Sequence, residues 1–249
     1  MAAASKLQKA SERRRAARFL AEGPNLVEAS LRRGVVEEVY ATEAAWERFA
    51  VLLTGAPVQL VTERAAKALS DTVTPVGLVA VCRTPVVDLS AILAASPQLV
   101  AVAVETSDPG NAGTLIRLAD AMGAAALILA GNSVDPYNPK CLRSSAGSIF
   151  TLPVVSISDT LGLIRDLVFA ELVVMATTLD GERSLDSLDL SVPTAWLFGS
   201  EAHGLPADVA AAADVRVTIP MSGGAESLNV AAAAAICLYQ SAAAHRAGG

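Results

Sequence analysis

The sequence predicts an α/β fold in two parts: a small α/β domain over residues 1–85, then, over residues 86–249, a mostly parallel sheet with helices on both faces. Three observations carry this expectation. From Asn25 onward the apolar periodicity alternates between helix-like and strand-like stretches. The strands of the second half are near-continuous apolar runs, as strands buried on both faces must be. Residues 83–88, with Pro85 among them, interrupt the alternation before it starts afresh, which marks a domain boundary.

Residues 26–32 read as a short helix closed by Gly34, placed where glycine takes the left-handed conformation that ends helices. A strand follows over 35–40. Thr42 then caps a helix over 43–53, because its hydroxyl can accept an amide of the first turn. The first part closes with a strand at 58–61, a helix at 63–69 and a strand at 77–82. Beyond the break come strands at 99–104, 126–129, 172–176 and 194–198, with helices at 112–122 and 160–169 between them. A strand at 215–219 leads to a helix over 227–245 made of Ala, Ile, Leu and Val with hardly any charge. A helix apolar all round is buried, inside the domain or against a second subunit. Its small residues, Ala234 among them, would let a partner helix approach, and a symmetric homodimer is the expected assembly.

The chain has 249 residues, 53% hydrophobic and 18% charged, with a mean hydropathy of +0.46, so it can bury enough apolar surface to offset its ordering entropy. No apolar run approaches the roughly 18 residues of a membrane span, and the N-terminal segment lacks the hydrophobic centre of a secretory signal. A soluble, cytoplasmic protein is expected. Cys82, Cys141 and Cys237 lie far apart and read as small hydrophobes, not as a disulfide framework or a zinc site. The net charge of −6 conceals an asymmetry: residues 1–33 hold eight Lys/Arg against three Glu. Clustered Lys6, Lys9, Arg13, Arg14, Arg15 and Arg18 suit nucleic-acid phosphates, and equally describe a solvated helix face or an organellar targeting segment.

Ligands of open parallel sheets gather at the loops beyond the carboxyl ends of strands. Four such loops, at 105–111, 177–181, 199–204 and 220–229, concentrate the small and polar residues. Neither GxGxxG nor GxxxxGK[ST] occurs, which removes the common dinucleotide and P-loop sites. There is no GxSxG turn, and with His203 and His245 the only histidines a Ser/His/Asp hydrolase has few ways to be built. No His/Cys/Asp set has the spacing of metal ligands, and no metal is expected.

What survives is a set of three segments: Asp108-Pro109-Gly110-Asn111-Ala112-Gly113-Thr114-Leu115-Ile116-Arg117, Phe198-Gly199-Ser200-Glu201-Ala202-His203-Gly204-Leu205, and Ile219-Pro220-Met221-Ser222-Gly223-Gly224-Ala225-Glu226-Ser227-Leu228-Asn229-Val230. They resemble the three motifs of the SpoU family of RNA ribose 2′-O-methyltransferases, within the SPOUT class, over most of residues 100–240. The resemblance implies S-adenosylmethionine as methyl donor, a deep trefoil knot at the C-terminal end of the sheet, and a homodimer with the active site at its interface. Residues 1–85 resemble the small α/β domain, related to ribosomal protein L30e, that many members carry to engage RNA.

Carried over position by position, the resemblance makes Arg117, Asn111, Glu201, Ser227 and Asn229 the catalytic set. A guanidinium with a pKa above about 12 rarely gives up its proton, so Arg117 is expected to hold a phosphate and stabilise charge on the 2′-oxygen. Asn111 also reads as an ordinary helix N-cap, and Ser227 first, or Asn229, as a cap of the last helix. Thr177, Leu179, Gly199, Ile219, Met221 and Leu228 are implied to hold the donor. Lys140 and Arg143, the latter opening Arg143-Ser144-Ser145-Ala146-Gly147, are implied to face RNA, and Arg13, Arg14 and Arg15 of the basic N-terminal run are the further phosphate candidates. His203 stands where the family motif often has Lys or Arg, which removes a fixed positive charge at neutral pH. The expected reaction is methyl transfer to RNA, ribosomal before transfer RNA. A noncatalytic RNA-binding protein and a small-molecule methyltransferase are the rivals.

Overall fold

A computed structural model describes residues 1–248. Its first part runs α1 (Ala2–Lys6), α2 (Ala10–Ala16), β1 (Arg18–Glu22), α3 (Pro24–Arg33), β2 (Val36–Ala41), α4 (Glu43–Arg48), β3 (Val58–Leu60), α5 (Glu63–Leu69) and β4 (Leu78–Arg83). The four strands form a mixed sheet in the order β1-β4-β2-β3. The second part runs α6 (Leu89–Ala94), β5 (Leu99–Val104), α7 (Pro109–Ala121), β6 (Ala126–Ala130), α8 (Pro139–Ser145), β7 (Val154–Ile157), α9 (Thr160–Phe169), β8 (Val173–Thr177), β9 (Arg183–Ser184), β10 (Thr194–Phe198), α10 (Ala207–Ala212), β11 (Val215–Thr218) and α11 (Val230–Gly248). Its seven strands are parallel throughout, in the order β7-β6-β5-β10-β8-β11-β9.

Every residue of β5, β6 and β10 is buried, which is why these strands read as unbroken apolar runs. The order places β10 between β5 and β8, with β11 on the far side of β8. From that far side the chain returns as α11 to pack on α7, β5 and β10. Such a path is consistent with the knot that the family resemblance implies. Buried Trp196 of β10 donates its indole N–H to buried Ser241 of α11 at 2.9 Å, which fixes the helix in register on the sheet.

Several elements differ from the sequence expectation for identifiable reasons. The short edge strands β1 and β7 were not anticipated, because five residues beside a basic run and four before a turn carry too little periodicity. Asp108 caps α7, accepting from the Asn111 amide, and Pro109 opens it; Asn111 is inside the helix and not its cap. Likewise α11 is capped by Asn229, not by Ser227. Nor is α11 buried all round: Ala234, Cys237, Leu238 and Ser241 face the chain's own core, whereas Ala232, Ile236, Tyr239 and Gln240 are exposed. Ala234 therefore belongs to the protomer interior and not to an open seam.

The two parts share one hydrophobic core, in which Phe19 of β1 packs on Tyr137 with ring centroids 4.5 Å apart and on Phe150 at 6.0 Å. Arg13 is part of this junction. Its side chain is 5% exposed and donates to Asp135 and to the carbonyls of Leu7 and Gln8, so it is a buried structural cation and not a phosphate ligand. Removing one partner of a buried pair leaves the other desolvated and uncompensated. Arg13→Ala is expected to cost about 3 kcal/mol in urea unfolding. The exposed Arg15→Ala should change stability by less than about 0.5 kcal/mol, and equal midpoints for the two variants would refute this assignment of Arg13.

Candidate active site

At the carboxyl ends of the central strands four loops converge, following β5, β8, β10 and β11. The close crossing of these loops depends on glycine. A Cβ on Gly199 would collide with the Gly204 and Leu205 backbone, and one on Gly181 would collide with the backbone at Val217 and Thr218. Gly113 has the same role one layer out, where a Cβ would strike Ser144 and the Cys141 carbonyl and force α8 off α7.

One side chain joins three of the segments. The Asn229 Oδ1 accepts the Ala231 amide at 2.9 Å and so caps α11. Its Nδ2 donates to the Glu201 carboxylate and lies 3.5 Å from Asn111 Oδ1. Asn111, Glu201 and Asn229 therefore stand together, although they come from α7, the β10 loop and the α11 cap.

Two cavities meet at this point. The larger, of about 670 Å³, is lined by Thr177, Leu179, Gly199, Ile219, Met221 and Leu228, with Glu201 and Ser227 at its edge. Its walls are mixed: the Thr177 hydroxyl is spent on the Leu197 carbonyl at 2.9 Å, while the Thr178 Oγ1 is buried with no partner. The smaller cavity, of about 340 Å³, is lined by Glu105, Thr106, Asp108, Asn111 and Asn132, and shares Ser200, Glu201, Ala202, His203 and Val230 with the larger. Lys140 pairs with Asp108 at 2.6 Å on its rim. That hydrogen bond, aided by the Asn111 amide, holds the Asp108 carboxyl below the usual carboxylate range.

Arg117 is not part of this assembly. It is exposed, lines neither cavity, and lies six residues beyond Asn111, about 9 Å along α7. Arg143 reaches Asp71 of the first part at 3.0 Å, and Arg15 pairs with Glu12 at 2.6 Å, whereas Arg14 is exposed. Burial pushes the Cys82, Cys141 and Cys237 thiols up to about 12, which leaves them protonated. Among the described residues no group of three or more His, Cys, Asp or Glu could hold a metal ion, and no helix is long and apolar enough to cross a membrane. The sequence marks the loops at 105–111 and 177–181 without singling out Glu105, Thr106 or Thr178 within them, and it passes over Asn132, whose signal was its place two residues after β6.

The SpoU rRNA Methylase family profile matches residues 98–239, more than half of the chain. This chain belongs to the SpoU rRNA methylase family. The match contains all four of the loops that converge on the two cavities. Residues 2–80 match a second profile, described as an MRM3-like substrate binding domain. Across 235 residues the SpoU chain is 35% identical to the 23S rRNA (guanosine(2553)-2′-O)-methyltransferase RlmP of Bacillus subtilis, covering 94% of this chain and 92% of that one. The crystal structure of the SpoU methyltransferase AviRb from Streptomyces viridochromogenes, in complex with the cofactor AdoMet, superposes with a TM-score of 0.88 at 32% identity, over 100% of this chain and 98% of that one. An AdoMet-bound rRNA methyltransferase from Sinorhizobium meliloti gives 0.81 at 28% identity, over 99% and 94%.

Proposed function

We infer that this SpoU chain transfers a methyl group from S-adenosylmethionine to a ribose 2′-hydroxyl of 23S ribosomal RNA. The observation that carries the reading is the pair of cavities sharing one wall, with Asn111, Glu201 and Asn229 at the junction. A two-substrate transfer needs two adjoining sites with the reacting groups held in line, and preorganisation of that kind supplies much of the rate.

The larger cavity fits the donor. Its volume suits a ligand of nucleoside size, its glycine crossing leaves backbone accessible, and the Thr178 hydroxyl has an unused hydrogen-bond capacity. Thr177, Leu179, Gly199, Ile219, Met221 and Leu228 would hold it. When bound, S-adenosylmethionine supplies a methyl group on a sulfonium, already activated for transfer. The remaining chemistry belongs to the chain: the ribose lies in the smaller cavity, and Glu201, oriented by Asn229, accepts the 2′-hydroxyl proton or holds an arginine there. Asn111 positions the sugar and Ser227 borders the transfer point.

Arg117 enters through the partner of a homodimer. Ile236 and Tyr239 on α11 and Met221 and Leu228 on the loop before it are exposed apolar side chains of the kind a second copy covers. In that assembly an arginine with no role in its own protomer reaches its neighbour's site. The domain over residues 1–85 positions the RNA, with Arg14 and Arg15 exposed for phosphate and Lys140 and Arg143 able to exchange carboxylate partners for it. Ribosomal RNA is preferred to tRNA because of the relatives' named substrates, including RlmP.

Ribose-methylation mapping of total RNA, with and without the gene, should show the loss of one 2′-O-methyl mark in 23S ribosomal RNA. An unchanged map would favour a noncatalytic RNA-binding role, and a lost tRNA mark would move the substrate. The shared site predicts complementation: Arg117→Ala and Glu201→Gln, each nearly inactive alone, should recover activity when mixed and allowed to exchange subunits. No recovery, with exchange demonstrated, would confine Arg117 to its own protomer.

A further inference from the structure

Two side chains on the acceptor side of the site take no part in the chemistry so far. Glu105 follows β5 and Asn132 follows β6. Both line the smaller cavity, and both also line a third one, of about 590 Å³, that continues from it past Ser158, Asp159 and Asp208. Both are exposed, and neither side chain has a hydrogen-bond or ion-pair partner among the described residues.

The backbone that presents them is laced together. The Glu105 amide donates to the Ala130 carbonyl at 3.0 Å, the Thr106 amide to Ser133 Oγ at 3.1 Å, and the Val134 amide to the Thr106 carbonyl at 2.9 Å. Ser133 Oγ in turn donates to the Ala130 carbonyl at 2.7 Å. Glu105 is held at a φ of +52°, a left-handed conformation that side chains rarely adopt and that persists where surrounding structure enforces it. Gly131, between the two loops, keeps the space clear, since a Cβ there would come within 3.2 Å of Glu105 Cγ.

We propose that Glu105 and Asn132 read the base of the acceptor nucleotide, and that the base they select is guanine. The proposal rests on the methyl-transfer reading above. An ionised carboxylate is acceptor-only and has two oxygens. Guanine alone among the four bases presents two adjacent donors, N1–H and N2–H, on its Watson–Crick edge, so both oxygens are satisfied at once. Uracil offers one N–H between two carbonyls, whose oxygens repel a carboxylate; adenine and cytosine each offer one amino donor there. The Asn132 carboxamide supplies the complementary N–H for guanine O6. The continuing cavity is lined by Glu105, Asp159 and Asp208, of which Asp159 caps α9 and pairs with Arg165 at 3.8 Å, and with no Lys or Arg in its wall it suits a neutral base better than a phosphate. Recognition of a splayed-out base on this edge is the usual mode for single-stranded RNA.

The test uses the full-length protein and transcripts of the mapped ribosomal RNA segment carrying guanosine, inosine or uridine at the target. Inosine differs from guanosine only in lacking the 2-amino group. Wild type should favour guanosine over inosine by about tenfold in kcat/KM, and uridine should be methylated least. Glu105→Gln should bring guanosine and inosine within about twofold while S-adenosylmethionine affinity, read by calorimetry, is unchanged. Asn132→Ala, on the separate loop, is a second variant and should lower guanosine methylation with donor affinity intact. Equal use of the three transcripts by wild type, or an unchanged guanosine-to-inosine ratio in Glu105→Gln, overturns the base-reading proposal alone. Failure of wild type to methylate any ribosomal RNA overturns the parent reading and this one with it.

Discussion

The Asn229 side chain is the point on which the site depends. Its oxygen caps α11 while its amide nitrogen reaches Glu201 and Asn111, residues 28 and 118 positions away in sequence. The cap and the site contact are made by one side chain in one rotamer, so the cap orients the amide nitrogen toward Glu201 and Asn111. Because α11 returns across the sheet to pack on α7, β5 and β10, the site exists only once the C-terminal helix has docked. The Trp196–Ser241 hydrogen bond and the glycine crossing at Gly199 set where that docking stops.

The same logic extends to the first part of the chain. The first part is not loosely tethered: Phe19 reaches into the shared core, Arg13 is enclosed beside Asp135, and Arg143 spans to Asp71. This places the two parts in one packed unit, with the two adjoining cavities of the site at the strand ends of the parallel sheet. A cation used to hold the parts together is no longer available to RNA, which divides the basic N-terminal run between Arg13 inside and Arg14 and Arg15 outside.

Much of this was legible in the residues. Continuous apolar runs announced β5, β6 and β10, and the composition of the post-strand loops pointed to the segments that line the two cavities. What escaped had little local signal. Edge strands of four or five residues do not develop a period, and the extent of α11 exposure depends on which neighbours it finds, not on its own alanines. Asn111 carries the signature of a cap, and only the geometry shows Asp108 taking that role and leaving the Asn111 side-chain oxygen to accept from Asn229. Arg13 is indistinguishable from Arg14 and Arg15 until the second part of the chain folds over it. Glu105 looks like an ordinary surface acid; its left-handed backbone is visible only in three dimensions.

The central claim is that Asn229 and Glu201 act as one unit, and a double-mutant cycle on methyl transfer tests it most directly. Glu201→Gln, Asn229→Ala and the pair would be compared by kcat/KM on the mapped ribosomal RNA segment, with thermal unfolding confirming that each folds. Coupled residues are non-additive, so the double variant should be no slower than the slower single variant within about twofold. Losses that multiply across the two substitutions would show that the residues act independently and would contradict the account.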